Sequence, residues 1–341
     1  MKTLNVAVAG LGRIGKIHLQ NLVRNFSEIR VLAAMDVLDT SKAIAEEFNV
    51  PVFVKTFDDL LAVPDLDAVV ICSPTDTHAN YVVKAARAGK QIFCEKPLDL
   101  SLERVQEVLE IVKEAGVKLM LGFNRRFDPE FKKIRQLVEN GSVGDPQIVK
   151  ITSRDPGPPP VSYIKVSGGM FLDMTIHDFD MARFISGKEV KEVFAKASVK
   201  VDPEIGLAGD VDTAVITLTY EDDSMALIDN CRKAAYGYDQ RLEVFGSKGM
   251  VQAENNFPNN HKLYTDAGVS GDLPLHFFLE RYDASYNQEI REFIDALVSG
   301  SEMPVDGEDG LISIAIGLAA KKSIKENRPV PVTEILNPNA K

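Results

Sequence analysis

The sequence predicts an α/β protein that begins with a doubly wound parallel sheet and continues with an α+β domain whose open sheet is mainly antiparallel. Three observations lead to this expectation. The 341 residues exceed the usual size of one domain. Strand-like and helix-like segments alternate through the first third of the chain, whereas several strand-like segments follow one another beyond residue 122. We therefore expect two domains, residues 1–121 and 122–341.

The apolar runs of the first third have the composition of buried strands. They are nearly continuous in apolar residues, which indicates a parallel sheet covered on both faces. The predicted strands are Leu4–Gly10, Ile29–Met35, Ala68–Cys72, Gln91–Cys94 and Lys118–Leu121. The predicted helices are Arg13–Asn25, Ser41–Phe48, Thr77–Ala88 and Ser101–Ala115. Ser101 is a typical N-cap for the last of these helices, and Gly116 a typical end.

Beyond Gly122 the strand-like segments alternate apolar and polar residues, as in DTAVITLTY. This alternation indicates antiparallel strands with one open face. The predicted strands are Gln147–Ser153, Asp212–Tyr220, Met225–Arg232 and Gln240–Phe245. The predicted helices are Pro129–Asn140, Met170–Ser186, Tyr286–Ser299 and Leu311–Glu326.

Charge and cysteine content restrict the class of partner. With 39 basic and 50 acidic residues the formal net charge is −11, which argues against a nucleic-acid or membrane-surface protein. The apolar runs are far shorter than the roughly 18 residues of a membrane span, and no signal peptide is expected at the N-terminus. The three scattered cysteines indicate neither a disulfide scaffold nor a zinc site. We therefore expect a cytoplasmic protein.

A G-x-G-x-x-G pattern occupies Gly10–Gly15, directly after the first predicted strand and at the start of a helix. Gly10 permits a tight turn, Gly12 lets backbone N–H groups approach a pyrophosphate, and Gly15 lets the helix pack closely on the sheet. Asp36 ends the next strand, where a carboxylate would bind ribose hydroxyls and repel a 2′-phosphate. The pattern predicts a dinucleotide site that prefers NAD to NADP. The alternative is a tight turn without a ligand.

A polar segment follows the carboxyl end of the strand Ala68–Cys72, at the edge where open α/β sheets bind ligands. Ser73 and Thr75 are candidates to bond the ribose or phosphate of the cofactor, and His78 to approach the same edge. The alternative is that Thr77 is a helix N-cap and His78 a surface residue of the first helical turn.

Glu95-Lys96-Pro97 follows the strand Gln91–Cys94 directly. A lysine held at the cofactor crevice can bond a substrate hydroxyl and stabilise the alkoxide character that develops as hydride leaves. Pro97 allows an unusual backbone path, including a cis bond. The alternative for Lys96 is a solvated surface charge.

The predicted helix Met170–Ser186 contains a second set of chemically capable residues. Asp173 and His177 are four residues apart and would share a helix face, with Asp180 near the same stripe. A carboxylate beside an imidazole raises its basicity, which suits a general base near neutral pH. The alternative is a capped helix with a partly buried, satisfied histidine. A metal site of His177 with Asp178 or Asp180 lacks further ligands at usual spacings, so no metal is predicted.

Three further loops carry polar residues that suit a polyol, which needs many hydrogen-bond donors and acceptors. These residues are Arg125, Arg154, Asp155, Tyr236 and Tyr238. Each loop by itself is equally compatible with an exposed surface segment.

Taken together, these residues resemble the family of glucose–fructose oxidoreductase and inositol 2-dehydrogenase. The similarity covers nearly the whole chain, in AGLGRIGKIH, FCEKPL, GFNRRFD, ITSRDPGPPP, SGGMFLDMTIHDFDMARF, YGYDQRLEVFGSKG and FFLERY. Glu95-Lys96-Pro97 is more specific to this family than the glycine loop. Ser167–Phe184 and Tyr236–Gly249 are similar to the inositol 2-dehydrogenase branch.

This resemblance implies a Rossmann domain followed by a domain whose open sheet commonly builds homotetramers. It implies a catalytic trio in which His177 takes the hydroxyl proton, Asp173 orients His177, and Lys96 holds the reacting hydroxyl beside nicotinamide C4. The substrate contacts expected are Lys96, Arg125, Asp155, Asp173, His177, Tyr236 and Tyr238. The cofactor contacts expected are Gly10, Gly12, Arg13, Ile14, Gly15, Asp36, Ser73, Thr75, His78, Glu95 and Lys96.

The activity implied is NAD-dependent oxidation of a secondary ring hydroxyl, myo-inositol to its 2-keto form, in carbohydrate catabolism. The alternatives are the same chemistry on scyllo-inositol or an aldopyranose and, in a different class, a non-catalytic NAD-binding sensor. Asp155 stands where some relatives carry Asn, and Met174 where some carry Thr. The preferred stereoisomer therefore stays open at this point.

Overall fold

The computed structural model describes residues 3–337, and the contacts among them divide the chain into two units. The first unit contains the residues up to Phe127 together with Ala284–Ile312, and the second contains Asp128–Asp283 and the chain from Ser313 onward. The sequence predicts that everything after residue 121 forms the second domain, whereas residues 284–312 have their contacts in the first unit. Residues 1, 2 and 338–341 of the two expected domains lie outside the described residues.

Within residues 3–337, six strands form the sheet of the first unit: β1 Leu4–Ala9, β2 Ile29–Met35, β3 Val52–Val54, β4 Ala68–Ile71, β5 Gln91–Cys94 and β6 Leu119–Leu121. Their order is β3-β2-β1-β4-β5-β6, and all neighbouring pairs are parallel. This is the Rossmann arrangement, in which strand order reverses between β1 and β4 and ligands bind at the carboxyl ends. The predicted parallel sheet is confirmed. Strand β3 is not predicted from the sequence, because three residues carry too little periodicity.

Helices connect these strands: α1 Arg13–Asn25, α2 Lys42–Glu47, α3 Phe57–Leu61, α4 Thr75–Arg87 and α5 Leu102–Ala115. The ends of α5 are as predicted, because the Ser101 hydroxyl accepts a hydrogen bond from the Arg104 N–H and Gly116 adopts a left-handed φ of +66°. The returning segment packs on the same sheet. The Phe293 ring meets the ring of Phe93 in β5 edge-on, with 5.8 Å between centroids, which explains why residues 284–312 belong to this unit.

In the described part of the second unit, strands β7 Pro146–Arg154, β8 Val190–Ser198, β9 Thr213–Tyr220, β10 Met225–Cys231, β11 Asp239–Gly246, β12 Gly249–Ala253 and β15 Val330–Pro331 form one sheet. The strands β13 Leu263–Thr265 and β14 Gly268–Ser270 form a separate hairpin. The sheet order is β12-β11-β7-β10-β9-β8-β15, and only the pair β7–β10 is parallel among these described strands. The predicted, mainly antiparallel sheet is therefore confirmed. Strand β8 is not predicted from the sequence, because its lysines and glutamate interrupt the apolar alternation.

The remaining helices are α6 Pro129–Glu139, α7 Val161–Ser167, α8 Ile176–Ser186, α9 Pro203–Leu207, α10 Phe278–Arg281, α11 Asp283–Ser299, α12 Gly307–Glu326 and α13 Val332–Leu336. Helix α8 is tied to the buried face of the sheet, where the Tyr220 hydroxyl of β9 donates to the Ala182 carbonyl at 2.9 Å. Among the helices of residues 3–337, none is long and apolar enough to cross a membrane.

The opposite face of this sheet exposes a row of apolar side chains. Met250, Phe245, Ile148 and Met225 are neighbours in register across β12, β11, β7 and β10. Their exposed fractions run from 41% at Ile148 to 52% at Met250. A contiguous exposed apolar row of this kind is typical of a protein–protein contact surface.

Candidate active site

The glycine loop between β1 and α1 has the conformation that its sequence predicts. Gly10 has φ of +91°, and a Cβ there would lie 2.6 Å from the Ser73 amide nitrogen. A Cβ on Gly15 would lie 1.9 Å from the Gly10 carbonyl oxygen, so α1 approaches the loop this closely only with glycine. A Cβ on Gly12 would meet no atom of the described residues within 4 Å. Gly12 therefore faces open space.

The N-terminus of α1 suits an anion. Gly12 precedes the helix and has no side chain that could cap it, and the first turn contains no acidic residue. The N–H groups at a helix N-terminus, together with the helix dipole, favour a phosphate. The residues present thus fit the pyrophosphate of a dinucleotide.

Asp36 is fixed to the glycine loop at the end of β2. Its Oδ2 accepts a hydrogen bond from the Leu11 N–H at 2.8 Å, and its Oδ1 accepts one from the Leu38 N–H at 2.9 Å. A carboxylate has about four acceptor positions, so these two bonds leave capacity for ribose hydroxyls. The predicted ribose-binding role is compatible with this geometry.

Helix α4 begins at Thr75, two residues before the expected N-cap Thr77. His78 is only 2% exposed, which excludes the surface position considered for it. Its Nδ1 lies 2.8 Å from the Pro97 carbonyl oxygen and its Nε2 2.8 Å from the Ser73 carbonyl oxygen. Burial lowers the pKa of His78, so the ring is neutral near pH 7 and donates to one carbonyl at a time. The expected cofactor contact would require one of these contacts to be given up.

Lys96 lies between two anchored neighbours. The Lys96–Pro97 peptide bond is cis, and the Pro97 carbonyl faces His78. On the other side the Glu95 carboxylate lies 2.8 Å from His18 Nε2. The carboxylate expected to contact the cofactor is therefore engaged with a buried histidine.

The segment with Asp173 and His177 is not the continuous α-helix that the sequence predicts. Met170–Met174 forms a π-helical turn closed by a 2.8 Å backbone hydrogen bond, and α8 begins only after Thr175. A π-turn is wider than an α-turn, so the four-residue spacing does not by itself stack the two side chains. The Asp173 carboxylate accepts a hydrogen bond from the Tyr163 hydroxyl at 3.0 Å.

Arg232 joins two of the predicted residues and was missed by the sequence analysis. It is 3% exposed, its Nη2 donates to Asp173 Oδ2 at 3.2 Å, and its Nη1 lies 3.5 Å from Asp155 Oδ2. Arg232 follows β10 and Asp155 follows β7, and these strands run in parallel register with Cys231 opposite Arg154. The sequence predicted both strands but not their parallel pairing, which is the signal that would have revealed Arg232.

The two candidate tyrosines have different surroundings. The Tyr236 hydroxyl donates to Asp239 Oδ2 at 2.6 Å and accepts from Arg154 Nη1 at 2.9 Å. Tyr236 is 38% exposed, and partial burial raises the pKa of its hydroxyl. Tyr238 is buried, and its ring meets that of Tyr282 edge-on at 6.0 Å. Tyr236 is therefore the more accessible of the two.

Two more of the residues considered from sequence are buried. Arg125 lies in a 3-10 turn of the first unit, Asn124–Phe127. The Asp178 carboxylate accepts from Asn230 Nδ2 at 2.9 Å, and Asn230 in turn accepts from the Thr175 hydroxyl at 2.6 Å. This network ties the start of α8 to β10 and gives Asp178 a structural partner.

Two segments of the chain match known domain families. Residues 4–123 match the oxidoreductase family with an NAD-binding Rossmann fold, and residues 131–252 match the GFO/IDH/MocA C-terminal domain. Myo-inositol 2-dehydrogenase of Thermotoga maritima is 50% identical over 98% of this chain and 100% of its own length. Inositol 2-dehydrogenase of Rhizobium meliloti is 47% identical over 97% of this chain and 99% of its own.

A solved structure of similar fold contains both a cofactor and a polyol. It is the scyllo-inositol dehydrogenase from Lactobacillus casei with bound NAD(H) and scyllo-inositol, with a TM-score of 0.90 and 32% identity. The alignment covers 97% of this chain and 100% of that one. The Rossmann fold predicted for the first domain is confirmed by these matches.

Proposed function

The chain belongs to the GFO/IDH/MocA family of oxidoreductases and is an enzyme whose cofactor is NAD; from this premise we propose that it oxidises a secondary ring hydroxyl of myo-inositol to the 2-keto form. The observation that carries the proposal is the near 50% identity to two inositol 2-dehydrogenases over almost the whole of both chains. Lys96, Asp173 and His177 are all present at the positions that the resemblance requires.

In this proposal His177 accepts the proton of the reacting hydroxyl, and Asp173 orients His177. Lys96 hydrogen-bonds to the same oxygen and stabilises its alkoxide character. When NAD is bound, its nicotinamide supplies the acceptor for the hydride that leaves the substrate carbon. One alcohol thus loses a hydride and a proton and becomes a ketone. The contacts of Asp173 with Tyr163 and Arg232 support its orienting role, because they hold the carboxylate in place.

We propose that the cofactor is held by the backbone N–H groups at the start of α1, including those of Arg13 and Ile14, and by Asp36 at the adenosine ribose. Ser73 and Thr75, at the carboxyl end of β4, are the proposed hydroxyl contacts. The open position at Gly12 and the absence of acidic residues from the first turn of α1 support this arrangement.

The proposed substrate contacts beyond the catalytic trio are Arg125, Asp155, Tyr236 and Tyr238. An ionised carboxylate only accepts hydrogen bonds, so Asp155 selects a ring hydroxyl that is placed to donate. Arg232 Nη1 lies 3.5 Å from Asp155 Oδ2, and its guanidinium offsets the negative charge of the carboxylate.

We further propose that the enzyme is a homotetramer that acts in the cytoplasm in carbohydrate catabolism. The exposed apolar row of the second sheet supports assembly through that face, and the three free cysteines suit a reducing compartment. Light scattering on the purified protein would test the assembly, with four times the 37.5 kDa chain mass expected.

The proposed reaction is tested by NADH formation from myo-inositol, scyllo-inositol and D-glucose, with NAD and NADP in parallel. Turnover should be fastest with myo-inositol and NAD. His177→Ala should lower kcat by about 10²- to 10⁴-fold while NADH binding persists, and His261→Ala, at an exposed histidine, is the control. Turnover on scyllo-inositol or glucose but not on myo-inositol would show that the enzyme has a different substrate. NADH binding without turnover on any of the three would favour the sensor.

A further inference from the structure

Three titratable side chains form a buried cluster in the first unit that the proposed chemistry does not use. His18 comes from α1, Glu95 follows β5, and Glu289 comes from α11. His18 Nε2 lies 2.8 Å from Glu95 Oε1 and 3.7 Å from Glu289 Oε1. The side chains of His18 and Glu289 are 0% exposed. The rings of Phe93 and Tyr286 pack edge-on against His18, so apolar groups surround the cluster.

The surroundings of His18 select the direction of its hydrogen bond with Glu95. Its Nδ1 is buried and has no hydrogen-bond partner among residues 3–337. A proton on Nδ1 alone would leave a buried N–H unsatisfied and would set Nε2 against a carboxylate oxygen as two acceptors. Nε2 therefore carries a proton, which it donates to Glu95.

No cation is hydrogen-bonded to Glu289 among residues 3–337. Within the described part of the chain neither of its carboxyl oxygens has a hydrogen-bond partner. Burial, followed by the negative charge of Glu95, raises the pKa of Glu289 well above its usual value. An ionised Glu289 would be a desolvated charge beside a like charge, and a neutral carboxylic acid avoids both penalties.

We propose that Glu289 is a neutral carboxylic acid in the working enzyme, and that His18 is a positioning residue that holds Glu95 and, through it, the adjacent Lys96. Glu95 and Lys96 share a peptide bond, so a fixed Glu95 side chain restrains the backbone that carries Lys96. His78 restrains the other side through the Pro97 carbonyl. The inference rests on the proposed role of Lys96 at the reacting hydroxyl.

The charge state of Glu289 is tested without any assay of activity. The infrared difference spectrum between the wild type and Glu289→Gln, near neutral pH, should show the carbonyl band of a protonated carboxylic acid that the variant lacks. Glu334→Gln is the control, because two cationic side chains hold the pKa of Glu334 at about 2 and keep it ionised. Absence of the band in the wild type would overturn the proposal. So would a stoichiometric metal in the purified protein, because a metal requires the ionised ligand.

The positioning role is tested by comparing three His18 variants. His18→Gln places an amide N–H near the position of Nε2, whereas His18→Leu has no donor and the amide of His18→Asn is too short to reach Glu95. Leu and Asn should each lower kcat about tenfold, and Gln should restore most of it. The NADH dissociation constant should change less than about twofold, because the glycine loop is untouched. The Asn variant keeps the comparison possible if Leu prevents folding.

The outcomes separate this inference from the function on which it rests. Wild-type kcat in both His18→Leu and His18→Asn, with a strong loss in Lys96→Met, would overturn the positioning role and leave the proposed function intact. Wild-type turnover in Lys96→Met would overturn the role of Lys96 and the positioning role with it. The infrared measurement would still decide the state of Glu289.

Discussion

Arg232 donates from Nη2 to Asp173 Oδ2 at 3.2 Å, and both groups are largely removed from solvent. The same guanidinium lies 3.5 Å from the Asp155 carboxylate. Two carboxylates held close together in a desolvated site repel each other, and a guanidinium between them offsets that repulsion. Asp173, proposed for catalysis, and Asp155, proposed for substrate selection, are thus coupled through the positive charge of Arg232.

Replacing Arg232 with Met should destabilise the protein by about 3–5 kcal/mol, because breaking a buried ion pair leaves its partners uncompensated. We expect kcat/KM to fall at least about tenfold as Asp173 loses its anchor. Arg183→Met is the control, since its partner Glu189 is 56% exposed and such pairs contribute about 0–1 kcal/mol. Urea unfolding measures the loss of stability, and steady-state kinetics measure the fall in kcat/KM. Equal losses of stability and of kcat/KM in Arg232→Met and Arg183→Met would contradict the role of Arg232 as the anchor of Asp173.

Gly15→Ala and Gly12→Ala should separate folding from cofactor binding. A Cβ at residue 15 would lie 1.9 Å from a backbone oxygen, so Gly15→Ala should lose about 1–3 kcal/mol or more. A Cβ at residue 12 meets open space among the described residues, so Gly12→Ala should fold with nearly wild-type stability. Its NADH affinity should fall at least about tenfold, because the methyl group occupies the pyrophosphate position. Thermal unfolding and fluorescence titration with NADH would show whether the two effects separate.

Asp36→Asn should weaken the preference for NAD over NADP. The amide oxygen can still accept one of the two backbone hydrogen bonds at the loop, but the charge that repels a 2′-phosphate is gone. We expect the ratio of kcat/KM for the two cofactors to fall about tenfold, which corresponds to about 1.4 kcal/mol. Asp39→Asn, at an exposed aspartate paired with Lys55, should leave the ratio unchanged. An unchanged ratio in Asp36→Asn would remove Asp36 from cofactor selection.

Glu289 should make stability depend on pH. Its pKa is raised on folding above the unfolded value of 4.5, so the folded state keeps a proton that the unfolded state releases. Stability therefore falls as pH rises from 4.5 towards the folded pKa, by about 1.4 kcal/mol per pH unit at most. Gln does not ionise, so Glu289→Gln removes this loss. In urea unfolding, the free energy of unfolding of the variant relative to that of the wild type should therefore increase between about pH 5 and pH 7.

Glu334→Gln is the matched control with the opposite sign. The pKa of Glu334 is lowered to about 2 by Arg328 and Lys322, so its contribution to stability is present above the unfolded pKa and is lost at acid pH. The Gln variant should therefore be no more stable than the wild type near neutral pH. If the difference in free energy of unfolding between Glu289→Gln and the wild type stayed constant between about pH 5 and pH 7, a neutral Glu289 would be contradicted.

Local patterns in the sequence were sufficient for the first sheet, the glycine loop and the ends of α5. Continuous apolar runs predicted the buried parallel strands, and the G-x-G-x-x-G spacing predicted a turn in which Gly10 has φ of +91°. Ser101 and Gly116 end their helix as expected. Each of these features depends on residues a few positions apart, so a linear pattern contains the information.

The tertiary structure alone decided which distant residues meet. Arg232 reaches Asp155 because β7 and β10 pair in parallel, and Glu289 reaches His18 because residues 284–312 return to the first unit. The π-turn before α8 likewise changes how Asp173 and His177 are presented. The partner of a strand or helix is selected by how the whole chain buries its apolar surface, and no local pattern encodes that choice.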